Sequence, residues 1–174
     1  MHHRKKIIAL LLALLSGCKT VGTPYSAPQE GEPAATVNVS GGPVYLVATN
    51  DKGCYVGKTR IDNAPGAAPV KIKTGATVLL EYEGTCLITF GFVPLKDAHY
   101  QVSTFEEDAP PDPKASFWKT LGQVGLRRCT VALDEVSAGA TAEQPIKPTQ
   151  YHPRQTGLAC IKFSEGKPTL LPFK

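Results

Sequence analysis

The chain has no apolar stretch approaching the ~20 residues that a transmembrane helix needs. Its longest unbroken apolar run, Ile7 to Leu15, covers nine residues. There is no Cys-x-x-Cys pair, which argues against a zinc ribbon or thioredoxin-like redox chemistry. A Gly-x-Ser-x-Gly elbow is also missing, so the usual strand-to-helix nucleophile is excluded. Gly57-Lys58-Thr59 looks like the end of a phosphate loop, but the glycine needed at position 52 is Lys52, and Gly53 is one place off. Only four histidines occur, two of them at positions 2 and 3, and no internal repeat is visible.

The N-terminus has the three zones of an export signal. Arg4, Lys5 and Lys6 form a basic head, Ile7 to Leu15 an apolar core, and Ser16-Gly17 a small-residue exit before Cys18. Leu15-Ser16-Gly17-Cys18 resembles, position by position, the lipobox of bacterial prolipoproteins. That resemblance implies a diacylglycerol on the Cys18 sulfur and cleavage before Cys18, usually followed by acylation of the new amine. Two or three acyl chains anchor stably where one binds only marginally. The resemblance also implies outer-membrane sorting, because Lys19 stands where an inner-membrane lipoprotein tends to carry Asp. This presumes a Gram-negative source.

Removing residues 1–17 leaves 157 of the 174 residues and takes away three basic residues and no acidic one. The net charge falls from +4 to +1, so no charge argument for nucleic acid remains. Of five cysteines, Cys18 is assigned to lipid. Cys54, Cys86, Cys129 and Cys160 make an even set that predicts two disulfides in an exported chain. Three connectivities are open. Proximity in sequence favours Cys54–Cys86 with Cys129–Cys160, each worth about 3–4 kcal/mol in the chain-entropy model.

Residues 18–34 are rich in Pro, Gly, Ser and charge and read as a lipidated flexible tether reaching about 20–25 Å. Residues 35–174 read as a single β-rich domain. Strands are expected at Ala35–Ser40, Val44–Thr49, Cys54–Ile61 and Val70–Lys73, with Asn50-Asp51-Lys52-Gly53 as a hairpin turn. Thr77–Glu83, Cys86–Val93 and His99–Phe105 suggest a three-stranded antiparallel meander, its middle run apolar enough for a strand buried on both faces. Asp112-Pro113 resembles a helix N-cap, predicting one short helix to Gly122. Arg128–Val136 and Leu158–Phe163 complete the strands, and Ser137–Pro153 reads as a long loop. The fold class expected is mainly β: an antiparallel β-sandwich or barrel with at most one short helix, stabilised by disulfides.

The strands from Val44 onward are similar to small immunoglobulin-like or transthyretin-like surface modules. The signal, tether, scattered cysteines and Gly91-Phe92-Val93-Pro94 strand end are also similar to cysteine-containing β-rich lipoproteins of Gram-negative envelopes.

No catalytic constellation emerges. His99 alternates onto the polar side of its strand, and His152 has no spacing partner. Glu106-Glu107 lie in a loop, and Glu81 and Glu83 share a strand's polar face. No metal site and no cofactor are expected. Phe117 and Trp118 are the candidate partner patch, with a core anchor as the plainer reading. The reading is a lipid-anchored, non-enzymatic binding or structural module at the periplasmic face of the outer membrane. Its expected partners are the membrane and an envelope protein or cell-wall component, with no nucleic acid. The alternative is a cell-wall-associated enzyme or enzyme inhibitor.

Overall fold

A computed structural model describes residues 24–108, 127–136 and 144–166. Leu15–Cys18, Phe117, Trp118 and the helix expected from Asp112 to Gly122 lie outside the described residues. Eleven strands are described: β1 Ala34–Ser40, β2 Val44–Thr49, β3 Tyr55–Arg60, β4 Val70–Lys73, β5 Val78–Glu83, β6 Leu87–Phe92, β7 His99–Asp108, β8 Arg127–Glu135, β9 Gln144–Ile146, β10 Thr149–Gln155 and β11 Ile161–Glu165. They form a five-stranded sheet, in the order β4-β1-β7-β8-β9, and a six-stranded sheet, β11-β10-β6-β5-β2-β3. Every described pairing is antiparallel except β1–β7, which is parallel. The protein is a mainly-β, disulfide-stabilised sandwich, with no helix among the described residues.

Period-two alternation builds the interior. Val37, Val39, Ile72, Tyr100, Val102 and Leu133 point inward from the first sheet. They meet Val44, Leu46, Val78, Leu80, Tyr82, Phe90 and Phe92 from the second. At about 25 cal/mol per Å2 of apolar surface removed from water, this shared face is the main favourable term in the fold.

Gly41 carries the chain from one sheet to the other. Its φ is 93°, and a Cβ there would lie 2.3 Å from the Thr104 carbonyl oxygen, so the crossing needs glycine. The adjacent Gly42 N–H donates to Thr104 Oγ1 at 2.6 Å.

The expected meander needs correcting. β5 and β6 pair as a hairpin, and β6 sits mid-sheet with Thr89 and Gly91 covered on its second face. β7, however, belongs to the other sheet. Pro94 and the left-handed Asp97 (φ 61°) take the chain across the sandwich instead of folding it back beside β6. Phe92 and Tyr100 consequently face each other through the core, edge to face at 4.7 Å.

The expected disulfide connectivity is also overturned. The bridges are Cys54–Cys160 and Cys86–Cys129. Sequence neighbours failed as a guide because the outermost strands of the six-stranded sheet, β3 and β11, come together. Tyr55 and Phe163 stack edge to face at 6.2 Å between them. Cys54, in the β2–β3 turn, therefore meets Cys160, in the β10–β11 turn, 106 residues away. Cys86, at the β5–β6 turn, reaches Cys129 on β8 and staples one sheet to the other.

Residues 24–33, read as part of the tether, lie against the sandwich. Tyr25 N–H donates to Thr59 Oγ1 at 2.8 Å, and its hydroxyl accepts from Lys73 N–H at 2.9 Å. Tyr25 thus clasps β3 of one sheet through its backbone to β4 of the other through its hydroxyl, and Pro28 is buried. The phenol's pKa is raised by burial, against the lowering effect of the Lys73 N–H.

Candidate functional site

The two sheets carry contrasting faces on their sides away from the shared core. On the six-stranded sheet, register places Arg60, Tyr45, Glu81, Thr89, Tyr151 and Glu165 along one row. This face is charged, and its central groups satisfy one another. Lys58 Nζ binds Glu81 Oε1 at 2.7 Å, also binds Glu83, and lies 4.6 Å from the centre of the Tyr45 ring. Thr89 Oγ1 donates to Glu81 Oε2 at 3.3 Å. The meeting of β3 with β11 encloses this face, which is why Glu81 is only 8% exposed although it alternates away from Leu80 and Tyr82. Burial acts to lower the Lys58 pKa, but its hydrogen bonds to the two carboxylates outweigh that and raise it. The phosphate-loop lookalike is thereby explained structurally: Lys58 is an ion-pair partner and Thr59 receives Tyr25.

The outer face of the five-stranded sheet is different. The parallel β1–β7 register pairs Thr36 with His99, Asn38 with Gln101 and Ser40 with Ser103. These six residues alternate away from Val37, Val39, Tyr100 and Val102. None is an Asp, Glu, Lys or Arg. Lys71 and Lys73 on β4 and Arg128 and Asp134 on β8 stand at the margins, and Phe105, 56% exposed, and Glu107 follow on β7. Hydrogen bonds orient the cluster. Thr36 Oγ1 lies 2.6 Å from His99 Nδ1, and Ser40 Oγ lies 3.0 Å from Ser103 Oγ. Gln101 Nε2 donates to Ser40 Oγ and to the Val102 carbonyl, each at 3.2 Å.

Three adjoining hollows open on this face. One of about 480 Å3 runs between Asn38–Gly41, Gln101 and the loop Asp62–Ala67. That loop is held by Asp62 Oδ1 accepting from Ala64 N–H at 3.0 Å and by Asn63 Nδ2 donating to the Gly41 carbonyl at 2.6 Å. The second, about 370 Å3, shares Asn38 and Gln101 with the first. The third, about 360 Å3, shares Thr36 and His99 with the second. A separate hollow of about 270 Å3 beside Tyr25 is lined mostly by apolar side chains, among them Val47, Val56 and Leu79.

The residues singled out from sequence are thus dispersed. All four candidate disulfide cysteines are bridged and are not available as thiol nucleophiles. His99 is exposed on the neutral face, whereas His152 lies on β10 with its Nε2 buried and lacking a hydrogen-bond partner. Glu81 and Glu83 share Lys58. Glu106 accepts from the buried Tyr82 hydroxyl and, at 3.0 Å, from Thr85 N–H, tying β7 to the β5–β6 turn. Burial first, then Glu106, push the Tyr82 pKa up to about 12, while the same hydrogen bond lowers that of Glu106. Among the described residues no group of three His, Cys, Asp or Glu is placed to hold a metal ion.

The neutral cluster was missed in sequence because its six members come from strands about sixty residues apart. Each strand alone read as an ordinary alternating one. The signal present was compositional: the outward positions Thr36, Asn38, Ser40 and His99, Gln101, Ser103 hold no Asp, Glu, Lys or Arg.

No protein-family model matches this chain, and neither a curated protein nor a solved structure does.

Proposed function

We propose that this chain is a lipoprotein anchored through Cys18 at the periplasmic face of a Gram-negative outer membrane, where its β-sandwich serves as a non-enzymatic binding or structural module. The observation that carries the reading is the lipobox-like Leu15-Ser16-Gly17-Cys18 at the end of a nine-residue apolar core. Cysteine parity supports it. With Cys54, Cys86, Cys129 and Cys160 bridged to one another, Cys18 has no partner left within the chain. Two structural disulfides also suit an oxidising compartment.

The packed N-terminal segment changes the geometry of anchoring. From Cys18 to the clasped Tyr25 is seven residues, which span at most ~25 Å when fully extended. The sandwich is therefore held close to the headgroups, on a shorter leash than a free tether would give.

Metabolic labelling with a palmitate analogue tests the anchor. The wild-type chain should be labelled and fractionate with membranes, and Cys18→Ala should lose both. A Cys18→Ala chain that stays labelled would overturn the assignment.

A further inference from the structure

We propose that the outer face of the five-stranded sheet is a binding site for an uncharged glycan strand. The proposal rests on the reading of the sandwich as an envelope binding module and names the ligand class for it.

Charge is the first argument. One fifth of the whole chain is Asp, Glu, Lys or Arg, and the other outer face carries Lys58, Arg60, Glu81, Glu83 and Glu165. A face kept merely for solubility is expected to be about a quarter to a third Lys, Arg, Glu and Asp with the signs interspersed. Yet the paired rows of β1 and β7 hold only hydroxyl, amide and imidazole groups. A polyanion would find no cation within these rows: Lys71 and Lys73 on β4 and Arg128 on β8 stand only at the margins, offset by Glu107 and Asp134. A protein partner would be expected to use several Trp, Tyr or Arg anchors, and among the described residues this face offers Phe105 and, at its margin, Arg128.

Complementarity is the second. Hydroxyls and amides both donate and accept, as sugar hydroxyls and acetamido groups do. Neighbouring strands ~4.8 Å apart, and residues i and i+2 ~6.7 Å apart, set these groups out as a grid that several hydroxyls of one sugar ring can contact. With its nitrogen committed to Ser40 and Val102, Gln101 keeps its amide oxygen free of protein partners among the described residues. Phe105 lies on the same face two residues beyond Ser103, and its exposed ring offers an apolar platform to the C–H face of a sugar. The three adjoining hollows, the first walled by the Asp62–Ala67 loop, give a strand-like ligand a path along the sheet.

The test uses the full lipidated chain in micelles of a detergent without a sugar headgroup. Chitohexaose and cellohexaose are the probes, with binding followed by isothermal titration calorimetry. Saturable binding of either is expected. Binding of chitohexaose alone identifies acetamido contacts, and binding of both shows that ring hydroxyls suffice. Asn38→Ala with Gln101→Ala should weaken binding about tenfold, as should Phe105→Ala, each change corresponding to the loss of one or two hydrogen bonds or one stacking platform. Glu165→Gln, on the opposite outer face, should leave binding unchanged. Absence of saturable binding to both probes, or equal binding by the face variants, overturns the proposal. The mass of the same preparation reads lipid on Cys18 independently, so loss of glycan binding with the lipid present refutes only the ligand assignment.

Discussion

Loss of the Cys54–Cys160 bridge should loosen one end of the molecule before the rest. The bridge closes a loop of 106 residues, and Cys86–Cys129, spanning 43, is nested inside it. With the inner bridge intact, the chain freed by opening the outer one is effectively about sixty residues. The chain-entropy model then gives about 4 kcal/mol for the outer bridge and a similar figure for the inner one. For a protein of this size, that corresponds to a fall in Tm of roughly 10–15 °C. The two losses should differ in place more than in size. Cys54→Ser with Cys160→Ser frees the β10–β11 hairpin, which keeps a short ladder to β6 (Thr149–Tyr151) and the Tyr55–Phe163 contact. Hydrogen exchange should therefore accelerate across residues 149–165 while β1, β5 and β6 remain protected. The inner double variant should instead loosen the staple between the sheets. Calorimetry with exchange mass spectrometry measures both. Uniform loss of protection across both sheets in the Cys54/Cys160 variant, or no change at the hairpin, would refute the reasoning.

Three further outcomes are expected. Gly91→Ala should destabilise by about 1–3 kcal/mol in chemical denaturation, because its Cβ would sit 3.0 Å from Leu79 Cδ2, Tyr151 Cε2 and the Val78 carbonyl oxygen; a neutral result would mean that Tyr151 does not cover β6. Because Tyr82 is pushed up to about 12, the unfolded chain ionises this phenol first, so the stability it contributes is full below pH ~10 and falls as pH rises toward 12. In ultraviolet titration, Glu106→Gln should lower the Tyr82 pKa yet leave it above the ordinary tyrosine value, since burial is the larger cause; an unchanged titration would contradict the Tyr82–Glu106 contact. Tyr25→Ala should cost about 1–3 kcal/mol through its lost packing and the lost hydrogen bond from Lys73 N–H to its hydroxyl and open residues 24–33 to proteolysis; unchanged stability and cleavage would mean that the segment is not clasped.

Much of the β architecture was legible from local pattern, and the failures share a cause. Alternation around Val37 and Val39, the Asn50–Gly53 turn and the apolar β6 each report on one strand and its neighbours. Which sheet a strand joins is decided at a distance. Nothing within His99–Phe105 says that β7 will pair in parallel with β1. β9 and β10 were hidden in an expected loop because Pro145, Pro148 and Pro153 interrupt them, and β10 pairs with β6 over only three residues. The disulfides followed the same rule: the meeting of two outermost strands, not spacing along the chain, chose Cys160 for Cys54. The neutral face was invisible for that reason too, since it exists only once β1 and β7 lie side by side.

The intact mass of the protein extracted from membranes bears most directly on the central claim. The account predicts a chain beginning at Cys18, carrying the mass of a diacylglyceryl group and usually one further acyl chain, and lighter by four hydrogens for two disulfides. A chain that retains residues 1–17, or one that begins at Cys18 with no lipid mass, would contradict it.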